Sequence, residues 1–527
     1  MLFNSDSFLF LFLPIVFAGT FLLSRYRHRW AVMWLGVASL CFYAVWNPRF
    51  VALLLASITF NYGAAWWIGT KSRCLRPGRA NWETAAAVAV NLAVLGYYKY
   101  ANFFIDSTNH FLGWHLDVLA VILPLGISFF TFTQIAFLVD VNRGVAREYC
   151  FANYLLFVTY FPHLIAGPVL HHKQMMPQFG NPDTFEINPH NIAAGLTVFV
   201  LGLAKKVLIA DTLARAATPL FSVASAGVPL TFFEAWIAAF AYTLQLYFDF
   251  SGYCDMAVGI SLLFNVKLPI NFDSPYKSAS IIDFWRRWHM TLSAFLRDYL
   301  YIPLGGSRNG GLLRRHANLM ITMLLGGLWH GAGWTFVVWG GLHGAYLIIN
   351  HGWRAHASRF GVAHTSAPWR MASVALTFIA VVVGWVFFRA DNFATAWNVL
   401  AGMTGLHGIS LPVALRGHLS VFEGSKLHSS LRFDGLISSV TLPNIVFIAL
   451  LFGSILVWAF PNLQRLLEEH MSAENSDMRW PVTATKRKSL SFVNPRAMLA
   501  VMSALLFFVV VLAIRSDGPS EFLYFEF

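Results

Sequence analysis

The sequence predicts an all-α membrane protein that crosses the bilayer many times, and three observations support this prediction. Of the 527 residues, 57% are hydrophobic, 16% are aromatic and only 12% are charged, whereas roughly a quarter of the residues in a soluble domain are charged. Long apolar segments recur from one end of the chain to the other, and the basic residues cluster between them. Because backbone groups in lipid must be satisfied within each segment, we expect these segments to be helices.

The apolar segments set the expected number of membrane crossings. Most of them reach or approach the roughly 20 residues that a helix needs to cross about 30 Å of hydrocarbon. Two, 231–263 and 317–351, are long enough to hold a pair of spans or a broken helix. We therefore expect about 11 to 14 membrane segments, some of them re-entrant. The apolar segments are 7–24, 30–46, 50–69, 84–97, 117–139, 150–168, 191–213, 231–263, 317–351, 371–388, 441–460 and 497–514.

One integral membrane domain over 1–527 is the simplest organisation. It has a core motif region, 120–351, followed by C-terminal helices at 371–388, 441–460 and 497–514. The polar stretches 389–439 and 461–496 have too little apolar periodicity to be separate domains, and we expect an outer loop and a basic inner loop. No repeat of fixed period and no matched pair of broken helices, the usual sign of a secondary transporter, is present.

The first apolar segment and the cysteines exclude two further features. No basic residue precedes Ser7, and "SRYRHRW" rather than a small-residue cleavage site follows the segment, so we expect a span and not a removable signal peptide. The cysteines show no paired spacing, which supports neither a disulfide framework nor a zinc site. We therefore predict no metal site. The cysteines are Cys41, Cys74, Cys150 and Cys254.

The position of the charges argues against nucleic acid as the partner of a chain with net charge +12. The basic clusters alternate with loops near 47–49 and 102–116 that carry one basic residue or none. This alternation follows the positive-inside rule and predicts that both termini lie outside the cytoplasm. The basic clusters are Arg25, Arg27 and Arg29; Lys71, Arg73, Arg76 and Arg79; Arg143 and Arg147; the segment 264–316; and Lys486, Arg487 and Lys488.

The segment "DFWRRWHMTLSAFLRDYL", residues 283–300, predicts an amphipathic helix in or near the membrane interface. Its apolar stripe includes Trp285, Trp288 and Leu292, and its basic face includes Arg286 and Arg297. His289 falls inside the apolar stripe. His289 is either a core histidine bonded to a backbone carbonyl or a functional group, since ionisable side chains at membrane depth are costly and often functional.

His330 lies in the stretch "GGLWHGAGW", residues 326–334, between Trp329 and Trp334 and among four glycines. One interpretation is a helix-packing glycine cluster with a hydrogen-bonded histidine. The other is catalytic, because a neutral imidazole is the usual general base near pH 7. His343, in "WGGLHG", would point elsewhere on a continuous helix, and for it we favour core packing.

Asp249 shares a helix face with Gln245 and must be paired or protonated if it is buried. We favour pairing with Lys205, Lys206 or an arginine of 286–297, and keep a substrate-binding role open. No two-carboxylate arrangement, metal spacing or nucleotide fingerprint is present. Two histidines in tryptophan-rich apolar settings beside a basic surface suit acyl transfer, with an anionic donor on the basic side and a histidine that takes a proton from a hydroxyl.

Two longer motifs contain these histidines, "FWRRWHMTLSAFLRDYLYIPLGG" and "GGLWHGAGWTFVVWGGLHG". They resemble the membrane-bound O-acyltransferase family, usually called MBOAT, and its bacterial alginate O-acetylase branch. "LPLGISFFTFTQIAFLVDV", "YFPHLIAGPVL", "QLYFDFSGYCDMAVGISLLFNVKLPINFDSPYKS" and the terminal "FLYFEF" support the resemblance, which covers almost the whole chain. The stretches 352–370, 389–440 and 461–496 carry none of it.

The resemblance implies a ring of tilted helices around a central tunnel, with His330 at its middle and the glycines keeping it open. It matches His330 to the family's catalytic histidine and His289 to a second position that often carries histidine or asparagine. We expect acetyl-CoA or a similar acyl thioester as donor and no bound cofactor. The candidate substrate-binding residues are Trp285, Arg286, Trp288, Arg297, Trp329, Trp334 and Asp249.

The resemblance also implies O-acetylation of an extracytoplasmic polysaccharide, most favourably an alginate-type exopolysaccharide, from the bacterial inner membrane. A periplasmic partner of the SGNH-hydrolase type is expected, with the outer loops and "FLYFEF" as its docking surface. Two alternatives are a transporter that uses the same tunnel without chemistry and a non-catalytic scaffold of an export complex. We favour the enzyme, because neither alternative explains a histidine on the apolar stripe of 283–300.

Overall fold

The computed structural model describes residues 1–75, 81–146, 150–307, 311–359, 366–411, 431–432, 444–465 and 495–523. Several residues named in the sequence-based predictions lie outside these ranges. They are Arg76, Arg79 and Arg147 of the basic clusters, the cluster 486–488 with most of its loop, most of 412–443, and the last four residues of the predicted docking motif "FLYFEF".

Most of the described chain is helical. Its strands are a parallel pair of two residues each, Ile409–Ser410 and Leu431–Arg432. Short π-helices, Phe8–Phe12, Gly96–Tyr100, Lys205–Ala210 and Arg297–Tyr301, continue or connect α-helices. The α-helices are α1 Leu13–Ser24, α2 His28–Ala44, α3 Arg49–Leu75, α4 Asn81–Leu95, α5 Ala101–Leu112, α6 Ile127–Asn142, α7 Phe151–Thr159, α8 His172–Gly180, α9 Pro189–Ala204, α10 Asp211–Ser225, α11 Phe232–Leu263, α12 Ile281–Trp285, α13 Met290–Leu296, α14 Gly311–His330, α15 Trp334–Arg359, α16 Ala367–Arg389, α17 Phe393–Met403, α18 Asn444–Ala459 and α19 Pro495–Asp517.

The first of two compact units comprises 1–204, 252–271 and 463–527. In it α3 and α4 pack on α6, α1 and α7 pack on α2, and α9 packs on α19. The two ends of the chain meet at one aromatic side chain. Phe3 stacks on Tyr253 with ring centroids 5.0 Å apart, and Phe522 meets the same ring at 4.8 Å. Phe522, the first residue of the predicted docking motif, is therefore buried in this unit.

The second unit comprises 205–251 and 272–462 and holds both candidate histidines. Its main feature is the hairpin of α14 and α15, joined by residues 331–333. α15 also packs on α12 and α16, and α10 packs on α17 and α18.

Glycines let the two helices of the hairpin cross at close range. A Cβ on Gly340 would overlap the carbonyl oxygen of Met323, and a Cβ on Gly327 would overlap the carbonyl oxygen of Phe336. The Cβ of Gly327 would also lie 3.1 Å from the Cα of Gly340. Small residues at such a crossing allow backbone-to-backbone packing, which is a main source of helix association in lipid.

The apolar character of the helices agrees with membrane insertion. Four described helices are long and apolar enough to cross a bilayer, namely Arg49–Lys71, Pro189–Ser225, Ala367–Arg389 and Ala500–Asp517. Phe8–Ser24, Ile127–Asn142 and Asn444–Ala459 are shorter apolar helices. On α19, Leu505 and Phe508 are each 63% exposed, and a large exposed apolar face requires a covering such as lipid. The expected count of about 11 to 14 segments stays a prediction.

Three expectations about element bounds are wrong. The segment 231–263 is one helix, α11, because its glycines Gly252 and Gly259 lie inside a helix-helix contact with α9. Residues 117–126 are not helical: Gly126 has φ +72°, and α6 begins only at Ile127. The polar stretch 389–439 contains α17, whose first turn is capped by the Asn392 side chain accepting from the Thr395 N–H at 2.9 Å. The break expected within 317–351 is confirmed by the hairpin.

We predict that Gly340→Ala lowers the free energy of unfolding by about 1–3 kcal/mol, because the added methyl group forces α14 and α15 apart. The neighbouring Gly341→Ala is the matched control, since its Cβ would lie at an ordinary 3.5 Å from Leu324 Cδ2. Alanine is the better helix former, so the control should be neutral or more stable by up to about 1 kcal/mol. Thermal unfolding in one detergent compares the two, and equal stability would contradict the close crossing.

Candidate acyl-transfer site

His289 lies at a break in the segment 283–300, so the prediction of one continuous amphipathic helix is wrong. α12 ends at Trp285, α13 begins at Met290, and His289 between them has φ +44° and ψ +53°. The physical cause is a competing partner: the carbonyl oxygen of Arg287 accepts from the Asp273 N–H at 3.0 Å and leaves the helical ladder. A non-glycine residue in this left-handed conformation is strained, and such strain concentrates at functional sites.

His330 is the last residue of α14, where the hairpin turns. Its side chain is 3% exposed and that of His289 is 0% exposed. The two ring centroids lie 6.2 Å apart with the planes at 62°. At this separation one reacting group between the rings is within hydrogen-bond reach of both. The helix break and the hairpin thus bring together the two histidines that the sequence singled out.

Aromatic rings enclose both histidines, and we call Phe250, Trp329, Trp339 and Phe388 the aromatic cage. Trp329, Trp339 and Phe388 lie 4.9, 5.1 and 5.3 Å from the His330 ring, and Phe250 lies 4.8 Å from the His289 ring. All four side chains are buried. Water is therefore excluded from the imidazoles, and charge interactions at the site are strengthened.

Sequence reasoning predicted Trp329 in this position and missed the other three members of the cage. Trp339 stands in the quoted motif "WGGLHG" but was given no role. On α16, Trp385 and Phe388 are three residues apart and share a helix face. Trp385 stacks on Trp339 with centroids 5.6 Å apart. A search for aromatic pairs at helical spacing in the 371–388 segment would have found this face.

Trp288 and Trp285 belong to the same aromatic cluster, and the Trp285 ring lies 5.8 Å from Trp339 of the cage. Trp288 is 1% exposed and lies 4.9 Å from Trp385. The Trp285 indole N–H donates to His343 Nδ1 at 3.3 Å. His343 is fully buried among Trp285, Trp339 and Trp385. It therefore packs in the core, as we favoured from the sequence.

The expectation that the glycines keep a tunnel open is wrong for two of them. The space beside Gly331 is filled by the Phe336 ring, and that beside Gly327 is filled by the Phe336 carbonyl oxygen. These glycines serve helix packing instead. Gly326 faces Leu296, where an added Cβ would meet Leu296 Cδ1 at 3.2 Å.

Asp249 forms a buried ion-pair network with residues of the same unit. Its Oδ1 lies 2.6 Å from the Lys206 ammonium, which also contacts Asp211 at 2.8 Å. Lys206 is one of the partners that the sequence suggested for a structural role. The adjacent Phe250 contacts His289, so Asp249 fixes the part of α11 that holds one wall of the cage.

The remaining candidate residues lie at the surface. Trp334 is 44% exposed at the start of α15. Arg297 is exposed and forms a bidentate pair with Asp298, at 2.7 and 2.9 Å. Arg286 is exposed and lines a separate cavity. Their predicted role in substrate binding stays a prediction.

Several known proteins are similar to the chain over most or all of its length. Residues 127–393 match the profile of MBOAT, the membrane-bound O-acyltransferase family. A "Peptidoglycan O-acetyltransferase" of Helicobacter pylori is 45% identical over 78% of this chain and 81% of its own. A "Probable alginate O-acetylase AlgI" of Pseudomonas aeruginosa is 45% identical over 76% and 75% of the two chains. One of the same name from Pseudomonas putida is 40% identical over 100% of both.

The chain belongs to the membrane-bound O-acyltransferase family. This confirms the family resemblance and its alginate O-acetylase-like branch, and it makes the chain an O-acyltransferase enzyme and a multi-pass membrane protein. The matched segment begins at the first residue of α6 and ends at the first residue of α17. It therefore includes both histidines and all four residues of the aromatic cage.

The acyltransferase also has a basic cavity of about 530 Å³ in its second unit. Three arginines line it, Arg286, Arg354 and Arg370, together with Trp353 and Trp369. The two tryptophan rings are nearly parallel, with centroids 6.4 Å apart and planes at 21°. Guanidinium groups beside stacked aromatic rings suit a ligand that carries phosphates and a nucleobase. Arg286 is among the substrate-binding residues predicted from the sequence, whereas the stretch 352–370 carries no part of the family resemblance.

We predict that Lys206→Met lowers the free energy of unfolding by about 3–5 kcal/mol, because it leaves Asp249 buried without its ammonium partner. Lys205→Met is the control, since it removes the neighbouring lysine and keeps both ion pairs of Lys206. Thermal unfolding of the purified acyltransferase in detergent separates the two variants. Equal stability would show that the Lys206 network does not support the fold.

Proposed function

We propose that the enzyme moves an acetyl group from a cytoplasmic acyl-CoA thioester to a hydroxyl acceptor on the outer side of the bacterial inner membrane. The product is an O-acetylated extracytoplasmic polysaccharide, with an alginate-type exopolysaccharide favoured. The names of the relatives, an alginate O-acetylase and a peptidoglycan O-acetyltransferase, support this substrate class. The buried pair of His289 and His330 inside the aromatic cage carries the proposal.

The proposed reaction needs one base and one group that polarises a carbonyl. His330 takes the proton of the acceptor hydroxyl as the hydroxyl oxygen attacks the thioester carbon. His289 donates a hydrogen bond to the carbonyl oxygen, where negative charge develops. The C–S bond then breaks, the imidazolium of His330 returns its proton to the departing sulfur, and the thiol leaves to the cytoplasm.

The aromatic cage supports transfer to a hydroxyl rather than to water. A reactive acyl group held among Trp329, Trp339 and Phe388 is shielded from bulk solvent, which suppresses hydrolysis. A transporter of the same acyl group would need no such enclosure of two imidazoles. The enclosure therefore favours chemistry over passage alone.

The basic cavity is the proposed docking site of the acyl-CoA nucleotide. Arg286, Arg354 and Arg370 provide charge for its phosphates, and Trp353 and Trp369 provide parallel rings for the adenine. The positive-inside rule assigns this basic region to the cytoplasm, where acyl-CoA is present. In the same arrangement both termini are extracytoplasmic, and the helices form a ring around a tunnel between donor and acceptor.

A periplasmic partner of the SGNH-hydrolase type is proposed as the route from this enzyme to the polysaccharide. The described chain has no second enzyme fold that could perform a further transfer. Phe522 is buried against Tyr253, so the docking surface is confined to the outer loops and to residues after Phe522.

We predict that His330→Ala abolishes acyl transfer, a loss of roughly 10²-fold or more, because it removes the general base. His289→Ala should reduce transfer strongly but less completely. His343→Asn is the control: it changes a buried histidine of the same unit, and its amide oxygen can still accept from Trp285. The measurement is consumption of radiolabelled acetyl-CoA in nanodiscs, with and without a candidate partner and normalised to folded protein.

Two outcomes would contradict the proposal in different ways. If His330→Ala transfers acetyl groups like the wild type, His330 is not the base. If neither the wild type nor any variant consumes the thioester, but the wild type in sealed vesicles moves the intact labelled compound across the bilayer, the transport alternative is correct.

We predict that Arg370→Ala raises KM for acetyl-CoA roughly tenfold and leaves kcat unchanged, because one charge-assisted contact to a phosphate is lost. Arg370 is exposed, so folding is not at risk. Arg25→Ala, an exposed arginine outside the cavity, controls for net charge. Acetyl-dephospho-CoA lacks the 3′-phosphate, the phosphate that we expect Arg370 to contact. If the variant discriminates between the two donors as well as the wild type does, Arg370 does not bind that phosphate.

A further inference from the structure

Three side chains of the first unit that favour metal ions converge outside the acyl-transfer site. Asp140, His171 and His172 each offer one ligand atom, and these atoms lie within 4.8 Å of one another. Asp140 Oδ2 lies 2.9 Å from His171 Nε2 and 3.3 Å from His172 Nδ1. Two imidazole nitrogens and one carboxylate oxygen form a common ligand set for zinc and for other first-row divalent ions.

Separate elements hold the three side chains in place. Asp140 belongs to the last turn of α6, and the N–H groups of Val145 and Ala146 donate to its backbone oxygen at 2.8 and 3.1 Å. His171 is the N-cap of α8 and His172 is the first residue of that helix. The cluster therefore joins the end of one helix to the start of another.

His172 is the most informative member of the cluster. It is 6% exposed, and neither ring nitrogen makes a hydrogen bond within the described chain. Its ring packs edge-on against Phe137, with centroids 5.6 Å apart. The neutral imidazole is the form that binds a metal. A buried imidazole without hydrogen bonds is costly unless a further ligand satisfies it.

We propose that Asp140, His171 and His172 bind a divalent transition-metal ion, Zn²⁺, with one coordination position left for water. The carboxylate and two neutral imidazoles supply three ligands, and tetrahedral zinc takes a fourth. Binding requires the Nε2 of His171 to be without its proton. That proton moves to Nδ1, and the long 3.4 Å bond which Nδ1 now accepts from the Lys173 N–H is lost. This ion would fix the end of α6 relative to the start of α8.

A bound metal ion explains why two imidazoles lie beside the Asp140 carboxylate, whereas an ion pair without metal explains only one of them. A pair of Asp140 with His171 alone accounts for the 2.9 Å contact. It gives no reason for a second, buried imidazole to point one nitrogen at the same carboxylate oxygen. A shared metal ion between the three side chains does.

The test measures metal content and affinity on the full-length protein in detergent, purified with a tag that contains no histidine. Chelator-treated protein is loaded with Zn²⁺, desalted and analysed by mass spectrometry for metal, and Co²⁺ loading is followed by its visible absorption. Asp140→Asn and His172→Ala are the test variants. His190→Ala removes an exposed histidine of the same unit and is the control.

We expect one Zn²⁺ per chain in the wild type and in His190→Ala, with a tetrahedral Co²⁺ spectrum and a Tm that rises on adding Zn²⁺. Both test variants should bind more weakly by at least the roughly 10–100-fold that loss of an outer-shell partner costs. Asp140→Asn nearly preserves the side-chain shape, so it remains informative if His172→Ala does not fold. Metal content well below one per chain in the wild type, or equal affinity in wild type and Asp140→Asn, would overturn the proposal.

Discussion

The close crossing of α14 and α15 at Gly327 and Gly340 is the constraint on which the candidate site depends. The hairpin turns immediately after His330, so the position of that imidazole depends on how closely the backbones of α14 and α15 approach each other. Trp339 lies one residue before Gly340 and forms one wall around His330 at 5.1 Å. A larger residue at the crossing would displace the histidine and its wall together, so the glycines at this point position the candidate site through packing.

A second constraint acts from the other side of the pair. His289 reaches His330 because its helix is interrupted, and the interruption depends on the Asp273 N–H competing for the Arg287 carbonyl group. Phe250 contacts the His289 ring from α11, one residue beyond the Asp249 carboxylate that pairs with Lys206. An ion pair, a helix break and a glycine crossing thus fix the positions of Phe250, His289 and His330 in one site. These three features rely on different interactions, because inside a lipid bilayer the hydrophobic effect contributes little to packing one helix on another.

Several features of the fold could be predicted from the sequence because they depend on local composition. The C-terminal helices appear within a few residues of 371–388, 441–460 and 497–514, and the break expected within 317–351 is present. Features set by tertiary contacts could not be predicted. Helical periodicity in 283–300 gave no sign that Asp273 would capture a carbonyl group. The basic cavity combines α12, α15 and α16, and the Asp140, His171 and His172 cluster joins residues with no regular metal-ligand spacing.

The choice of imidazole rather than carboxylate at the centre of this site follows from the cost of burying charge. Asp249 is the residue before Phe250 of the cage, and its buried carboxylate is stabilised by the Lys206 ammonium at 2.6 Å. A catalytic carboxylate with such a partner would be a weak base, and without one it would be protonated. A neutral imidazole is buried without a counter-ion, accepts a proton during the reaction and returns it within the same turnover. In an enclosure of tryptophan and phenylalanine rings, histidine is therefore the side chain that combines burial with general-base chemistry.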